Sequence, residues 1–347
     1  MKEGKNIGNP EGIAHKCTLP DDEFKLAWSS IKLPDGKHER LLAQALLSFT
    51  IRQKLPFEVA PLHGLILLTG PPGTGKSTLG RGLANQVAKQ LSGSKSTYVE
   101  VDSHGLMSSA HGRSQQAVAK LFEQTIPELT ISGPALVLLD EIETLVVSRH
   151  QLSLDANPID VHRATDAALA GLDRLTREHR NVLLIATTNF ARVLDQALLS
   201  RADHIEEFEL PNEAPRREII LDTLSAVGKV WRKVRNLEKD VDPLVKAAEG
   251  LDGRRIRKLI FVAMGSDLKT ASDPDKLTKE GYVGVSHELH RPASSFQAMQ
   301  VFERLSRTKM RKNLSKYFFV IFPHPSRLGT LEAVWASWFV FGKDWLG

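Results

Sequence analysis

The sequence has almost no cysteine and no long apolar run. Cys17 is the only cysteine among 347 residues, so the chain cannot form a disulfide within itself, and a cysteine-rich zinc cluster is not expected. No stretch approaches the ~18 consecutive apolar residues that indicate a membrane-spanning helix. The polar residues 1–12 do not resemble a secretory signal. We therefore predict a soluble, cytoplasmic protein with no membrane partner.

The sequence also lacks a large excess of charge of either sign. The chain has 46 Lys and Arg residues against 41 Asp and Glu residues, which leaves a net charge of +5. This small excess permits contact with nucleic acid but does not predict it. The composition, 41% apolar and 25% charged, is typical of soluble globular proteins, and the length predicts two domains with appendages.

A glycine-rich segment is the most informative feature that is present. Residues 70–78 read Gly-Pro-Pro-Gly-Thr-Gly-Lys-Ser-Thr, directly after the apolar run 65–68 and before a helix-compatible stretch. A glycine loop between a strand and a helix predicts phosphate binding, and the alternative is a simple glycine turn. The predicted nucleotide-binding residues are Gly70, Pro71, Pro72, Gly73, Thr74, Gly75, Lys76, Ser77 and Thr78. Among them, Lys76 supplies a charge for the phosphates, and the Ser77 hydroxyl is a predicted ligand for Mg²⁺.

The apolar pattern predicts the fold. Short apolar runs at 65–69, 97–101, 135–139, 182–188 and 205–210 alternate with helical patterns. This alternation predicts an α/β fold of the P-loop NTPase class with a five-stranded parallel sheet. After Pro211 the strand signals stop, which predicts a small all-helical lid. The predicted parts are a flexible lead-in (1–27), a nucleotide-binding α/β domain (28–211), a helical lid domain (212–291) and a basic, then aromatic tail (292–347).

Polar side chains follow two of the predicted strands. Asp140 and Glu141 come directly after the run 135–139, and Asn189 follows the run 182–188. The carboxyl ends of parallel strands bring such groups to one edge of a sheet. We predict that Asp140 holds Mg²⁺, that Glu141 polarises the attacking water, and that Asn189 senses the γ-phosphate. The alternatives are solvated acids at a strand end and a capping asparagine.

Two arginines complete the predicted site. Arg201 follows a helix after the run 182–188, far from its own phosphate loop, so a catalytic role requires the site of a neighbouring subunit. The alternative is a surface arginine paired with Asp203. Arg254 follows Asp252, a residue suited to a helix N-cap, and from there it can contact the γ-phosphate. A solvated or partner-binding basic face explains Arg254 equally well.

In order and spacing, these motifs resemble those of AAA+ ATPases. Residues 70–77 resemble Walker A, 136–141 Walker B, Asn189 sensor one, Arg201 an arginine finger and Arg254 sensor two. The Ser-His-Gly-Leu segment 103–106, the second acid Glu143 and the segment 250–254 are similar to the pachytene checkpoint branch of AAA+ remodellers. That branch includes short bacterial relatives in anti-phage signalling operons. The resemblance covers about residues 28–290.

This resemblance carries expectations of its own. It implies a homo-oligomer, a hexamer, that binds ATP and Mg²⁺, hydrolyses ATP to ADP and phosphate, and remodels HORMA-domain proteins. It also implies a substrate-gripping pore loop at Met107, Ala110 and His111, although Ala110 and His111 stand where the family has aromatic residues. It implies no nucleic-acid partner.

Other interpretations stay open at this point. A nucleic-acid motor or loader would use the basic excess, but no added DNA-binding module is recognisable. A nucleotide-gated scaffold without turnover is disfavoured by Asp140, Glu141 and Asn189, which a catalyst needs. The tail, 292–347, is a packed extension, a partner-docking segment or the product of a disrupted reading frame.

Overall fold

A computed structural model describes residues 10–91, 95–107, 114–146, 158–190, 192 and 194–290, with 158–160 and 287–290 described by their backbone alone. The sheet and the chain that follows it as far as Ser286 belong to one compact unit. The division into a nucleotide-binding domain and a lid domain stays a prediction. The tail, 292–347, lies outside the described residues.

The centre of this unit is a six-stranded sheet. Its strands are β1 (Ile13–Leu19), β2 (Leu65–Thr69), β3 (Ser96–Val101), β4 (Ala135–Leu139), β5 (Val182–Thr188) and β6 (His204–Glu207). They lie in the order β1-β3-β4-β5-β2-β6, and all pairings are parallel except that of β1 with β3. All residues of β2, β4 and β5 are buried, as expected of parallel strands covered on both faces. The predicted α/β fold is confirmed, with one antiparallel edge strand added.

The prediction of a flexible lead-in over residues 1–27 is wrong at residues 13–19, which form the added strand β1. Residues Ile13 and Leu19 at its two ends are buried, but the residues between them are largely exposed, so no apolar run marked the strand in the sequence. Backbone pairing with β3 holds it in place. The Phe24 ring packs edge-on against Tyr98 of β3, with 4.9 Å between ring centroids, which fixes the segment that follows β1.

Helices cover both faces of the sheet. Up to β6 they are α1 (Lys25–Ser30), α2 (Lys37–Lys54), α3 (Lys76–Gln90), α4 (Ser103–Met107), α5 (Ser114–Lys120), α6 (Ile126–Leu129), α7 (Pro158–Glu178) and α8 (Gln196–Leu199), with a π-helical turn at Leu121–Thr125 and a 3₁₀ turn at Ile142–Thr144. Leu67 of β2 packs in one core with Leu172 of α7, and its neighbour Ile66 packs in the other core with Leu83 of α3. The two-residue period of the strand therefore divides the core into two layers.

Helices also follow the sheet, as the sequence predicts. They are α9 (Glu213–Val227), α10 (Asp242–Ala247), α11 (Gly253–Met264), α12 (Leu268–Ser272) and α13 (Lys279–His290), with 3₁₀ turns at Arg232–Asp240 and Pro274–Lys276. The N-cap of α11 is Asp252, whose Oδ1 accepts the Arg255 backbone N–H at 3.0 Å. Within the described ranges, no helix has the length and apolar character needed to cross a bilayer.

Candidate nucleotide-binding site

The predicted phosphate loop connects β2 to α3 and depends on glycine in two ways. Gly70, Gly73 and Gly75 have φ values of +138°, +82° and +95°, a region that other residues rarely adopt. A Cβ on Gly70 would lie 2.2 Å from the Phe208 carbonyl oxygen, and one on Gly73 would lie 2.2 Å from Asp252 Oδ1. Backbone conformation and lack of space therefore both require glycine here. The loop is a cradle bordered by the segment after β6 and by the cap of α11.

Lys76, the first residue of α3, is buried inside this cradle. Its Nζ donates to the carbonyl oxygens of Gly70 and Pro71, both at 2.8 Å, and to Asn189 Oδ1 at 2.9 Å. Burial lowers the pKa of Lys76, and the carboxylates of Glu143, Asp140 and Glu141 act against that shift. A buried cation beside a curled glycine backbone at a helix N-terminus fits a phosphate group.

Asp140, at the end of β4, faces the start of α3. Its Oδ1 accepts the Ser77 hydroxyl at 2.6 Å and also accepts the Thr187 hydroxyl. Within the described ranges, no group of three or more His, Cys, Asp or Glu side chains is arranged to hold a metal ion. A hydroxyl and one carboxylate fit Mg²⁺, because this ion is bound by few protein ligands and completes its coordination with phosphate and water oxygens.

Glu141 is the only non-glycine residue in the described ranges with a positive φ, at 52°. A left-handed backbone costs such a residue about 1–2 kcal/mol, so the surrounding contacts must hold it. Its N–H donates to the Thr187 hydroxyl at 3.1 Å, its Oε2 lies 2.9 Å from His104 Nε2, and its Oε1 lies 3.5 Å from Asn189 Nδ2. Strained residues held in this way cluster at functional sites.

Asn189 connects these groups. It follows β5, and its side chain bonds Lys76 through Oδ1 and reaches Glu141 through Nδ2. Its backbone N–H donates to Glu143 Oε1 at 3.1 Å. The structure thus brings Lys76, Ser77, Asp140, Glu141 and Asn189 together at the carboxyl edge of the sheet, as predicted.

Three contacting residues were not predicted. Thr187, His104 and Glu143 each bond a predicted site residue. Thr187 precedes Asn189 by two residues at the tip of β5, so its position at the carboxyl edge was a usable signal. The contacts of His104 and Glu143 join residues 37 and 46 positions apart, and no local pattern indicates such a contact.

Arg254 lies where the lid helices meet the phosphate loop. Its backbone N–H donates to the Gly73 carbonyl oxygen at 3.2 Å. The positive charge of Arg254 is also among the causes that lower the pKa of Lys76, after the burial of Lys76 itself. The neighbouring Arg257 donates to the Ser30 carbonyl oxygen at 2.6 Å, so α11 contacts both the loop and the last residue of α1.

Arg201 is paired, but with a different residue from the one considered above. Its Nε and Nη2 donate to the two carboxylate oxygens of Asp173 at 2.6 and 2.7 Å, and its Nη1 donates to the Ala197 carbonyl oxygen at 2.6 Å. These bonds lower the pKa of Asp173. The suggested partner Asp203 instead accepts the backbone N–H groups of His63 and Gly64, so the Arg201–Asp203 pairing is wrong. The Asp203 carboxylate thus holds the two residues that precede β2.

The position of Arg201 relative to its own phosphate loop follows from the strand register. The Asp203 N–H donates to the carbonyl oxygen of Leu65, the first residue of β2, at 2.8 Å. The phosphate loop begins after Thr69, the last residue of β2. At about 3.3 Å per residue, the strand separates these points by ~13 Å. Arg201 therefore lies at the amino edge of the sheet, opposite the edge that carries its own loop.

The predicted pore loop is described only at its beginning. Met107 ends α4 and packs partly buried against the core, and its carbonyl oxygen accepts the Ser114 hydroxyl at 3.4 Å. Ala110 and His111 lie outside the described residues. The role of all three residues stays a prediction.

Comparison with known proteins identifies the family. Residues 66–210 match the ATPase family associated with various cellular activities (AAA). The chain is 46% identical over 273 residues to CD-NTase-associated protein 6 of Pseudomonas aeruginosa, a match that covers 78% of this chain and 90% of that protein. The chain belongs to the AAA ATPase family. It is also 30% identical over 297 residues to the pachytene checkpoint protein 2 homolog of Rattus norvegicus, covering 78% of this chain and 67% of that one.

Two solved structures share the fold of this chain. The structure of C. elegans PCH-2 aligns with a TM-score of 0.62 at 27% identity, covering 84% of this chain and 76% of that one. A chain of the E. coli MS115-1 HORMA:CdnC:Trip13 complex aligns with a TM-score of 0.63, covering 80% of this chain and 95% of that one. Its 20% identity supports the fold alone. The predictions of an AAA ATPase and of a resemblance to pachytene checkpoint proteins are confirmed.

Proposed function

We propose that this AAA ATPase works as a ring of identical subunits, a hexamer, that uses Mg²⁺ and ATP to remodel HORMA-domain proteins in the cytoplasm. The observation that carries the ring is the position of Arg201. A site formed by one chain has a lysine, carboxylates and an amide at its carboxyl edge, but the arginine lies at the other edge. A neighbouring copy is the natural source of the missing arginine.

The residues at the carboxyl edge divide the chemistry among them. Lys76 and the N–H groups of the phosphate loop bind the β- and γ-phosphates. Ser77 and Asp140 hold Mg²⁺, which neutralises charge on the phosphates when it is bound. Glu141 accepts the hydrogen bond of the attacking water and polarises it, while Asn189 orients that water and detects the γ-phosphate. The backbone of Glu141 is in the left-handed region, and its carboxylate contacts His104 and Asn189.

Arg201 completes the site in trans. An arginine that stabilises the charge developing on the transferred phosphoryl group is worth about 10³–10⁵ in rate. Within its own subunit, Arg201 is held by a bidentate pair with Asp173, at a position where both side chains are partly exposed. A pair that solvent reaches is worth about 1 kcal/mol or less, so a nearby phosphate can replace Asp173 at small cost.

Movement of the lid helices couples hydrolysis to mechanical work. The start of α11 contacts the phosphate loop through the Arg254 N–H and through Asp252, which lies against Gly73. Loss of the γ-phosphate removes a contact of the Arg254 side chain and so weakens the attachment of α11 to the phosphate loop. Helices α9 to α13 then shift against the sheet and move the predicted pore loop at Met107, Ala110 and His111 along a bound substrate.

The substrate class is supported by the relatives. One relative is named for association with a CD-NTase, and a structural neighbour was solved in a complex that contains HORMA, CdnC and Trip13. The alignment covers 90% of the Pseudomonas protein, so most of that protein has a counterpart in this chain. We extend the HORMA-domain partner to this chain on that basis, with anti-phage signalling as its setting.

A substrate trap tests this proposal. The Glu141→Gln variant retains the phosphate loop and is expected to bind ATP without cleaving it, so a substrate stays bound. The trap is purified with ATP and Mg²⁺ from cells of the native host, and Lys76→Ala, which loses its phosphate contact, is the matched control. Enrichment of a HORMA-domain protein with the trap alone supports remodelling. Recovery of nucleic acid or a replication clamp in its place contradicts the proposal and favours the nucleic-acid motor.

A further inference from the structure

Glu143 has contacts that the reaction described above does not use. It lies in the 3₁₀ turn Ile142–Thr144, two residues after Glu141. Its Oε1 accepts the Asn189 backbone N–H at 3.1 Å. Its Oε2 is buried and, within the described part of the chain, has no hydrogen-bond partner. A buried carboxylate oxygen without a partner is costly, so the position of this side chain calls for a functional explanation.

The Asn189 N–H needs the acceptor that Glu143 provides. The paired register of β2 and β5 ends at Thr69 and Thr188, so the sheet offers no ladder partner to the residue that follows. A carboxylate makes a stronger bond to a backbone N–H than a neutral oxygen does. Glu143 therefore fixes the first residue beyond the strand, at the point where the chain leaves the sheet.

The side chain of Asn189 links this backbone bond to two residues of the site. Its Oδ1 accepts from Lys76 at 2.9 Å, and its Nδ2 lies 3.5 Å from Glu141 Oε1. One amide thus spans the phosphate-binding cation and the residue that polarises water. A displacement of its backbone moves both contacts together.

We propose that Glu143 is a positioning residue, which acts through the Asn189 backbone to hold the Asn189 side chain between Lys76 and Glu141 during ATP hydrolysis. The inference rests on the ATPase chemistry assigned to this site under the proposed function. A competing explanation is that the negative charge of Glu143, and not its hydrogen bond, matters for the reaction. Among the carboxylates near Lys76, Glu143 acts most strongly to raise its pKa, so the role of Glu143 can be its charge instead of its hydrogen bond.

Two conservative variants separate the hydrogen bond from the charge. Glu143→Gln keeps an acceptor oxygen for the Asn189 N–H but removes the charge. Glu143→Asp keeps the charge but withdraws the oxygens by one methylene, which breaks the 3.1 Å bond. Glu143→Ala removes both. Glu178→Ala is the matched control, because Glu178 is an exposed carboxylate that pairs with Arg174 on α7.

Each variant is measured for kcat and KM of ATP hydrolysis, for the Kd of a fluorescent ATP analogue, and for thermal unfolding. We expect Glu143→Ala and Glu143→Asp to lower kcat by about 10–100-fold, because a shift of about 1 Å in a positioning group costs this much. The Kd stays within about threefold of wild type, which assigns the loss to turnover. Glu143→Gln is expected to restore kcat to within about threefold of wild type. Glu178→Ala is expected to match wild type.

A double variant tests the route through Asn189. If Glu143 acts through this residue, Glu143→Asp combined with Asn189→Ala is no slower than Asn189→Ala alone. The proposal would be overturned if the kcat losses of Glu143→Asp and Asn189→Ala multiplied in the double variant. It would also be overturned if Glu143→Gln were inactive and bound nucleotide more weakly. The Gln and Asp variants decide the matter even where Glu143→Ala does not fold. If the wild type hydrolyses ATP and all Glu143 variants match it, the inference alone fails, whereas no hydrolysis by the wild type contradicts the proposed function.

Discussion

The two edges of the central sheet hold their main cations in different ways. At the carboxyl edge, Lys76 is buried and donates to two loop carbonyls and to the side-chain amide of Asn189, which follows β5. At the amino edge, Arg201 bonds one carboxylate and one carbonyl in a partly exposed position. The first cation is fixed by contacts from several segments, and the second is held by a pair that can be exchanged. We infer that the carboxyl edge carries the chain's own phosphate-binding residues, whereas Arg201 at the amino edge is available to a neighbouring subunit.

Loss of the Arg201 side chain at the amino edge should have the largest effect on turnover. We expect Arg201→Ala to lower kcat by about 10³–10⁵-fold with little change in ATP affinity, because its own phosphate loop is intact. Mixed with Lys76→Ala subunits, it should regain turnover, since an intact loop then faces an intact arginine. Steady-state ATPase assays of single and mixed variants measure both effects.

Arg174→Ala is the control for the arginine experiment. Arg174 lies on α7, and its pair with Glu178 is exposed, so this variant should behave as wild type. Full turnover by Arg201→Ala alone would contradict the assignment in trans. Inactivity of the mixture, with native mass spectrometry showing mixed rings, would contradict it as well.

Two glycines test how closely the phosphate loop is packed at the carboxyl edge. Gly73 and Gly250 have similar φ values, +82° and +78°, but a Cβ on Gly73 meets Asp252 at 2.2 Å, whereas one on Gly250 meets nothing within 4 Å. Each alanine variant should lose about 1–2 kcal/mol of folding stability, because alanine must adopt a left-handed backbone conformation there. Gly73→Ala must also displace the α11 cap, which is worth about 1 kcal/mol.

Urea unfolding and nucleotide titration distinguish the two glycine variants. We expect Gly73→Ala to unfold at lower urea than Gly250→Ala and to bind an ATP analogue at least about tenfold more weakly, because the cradle changes shape. Gly250→Ala should bind as wild type does. Equal binding by both variants would show that the contact between the loop and α11 does not shape the site.

The comparison also explains what the sequence could predict. Strands β2, β4 and β5 are continuous apolar runs, so the residues at their carboxyl ends, including Asp140 and Asn189, could be placed at one edge before the structure was known. β1 was missed because its middle residues are largely exposed and include His15, Lys16 and Thr18, so no apolar run marks the strand. The Arg201–Asp173 pair was missed because Asp173 on α7 and Arg201 in the turn after α8 are 28 residues apart, and such a contact leaves no local pattern.

The smallest effect concerns the stability that the Arg201–Asp173 pair contributes. The hydrogen bonds from Arg201 lower the pKa of Asp173 in the folded state. A carboxyl whose folded pKa is depressed stabilises the protein above its unfolded pKa, about 3.9, and that stability is lost as the pH falls through the lower folded pKa. Since 34% of the Asp173 side chain is exposed, we expect a contribution of about 0.5 kcal/mol.

Thermal unfolding of wild type and Asp173→Asn at pH 7 and near pH 3 measures this contribution. The wild type should be slightly more stable at pH 7, and the difference should shrink at the lower pH as the wild-type carboxyl takes up a proton. If the pair is exchangeable, the small loss of stability should come with wild-type or faster ATP turnover, because the arginine is released toward the neighbouring site. A large loss of stability at pH 7, together with slower turnover, would mean that Asp173 fixes Arg201 as firmly as the carboxyl edge fixes Lys76, and the contrast between the two edges would not hold.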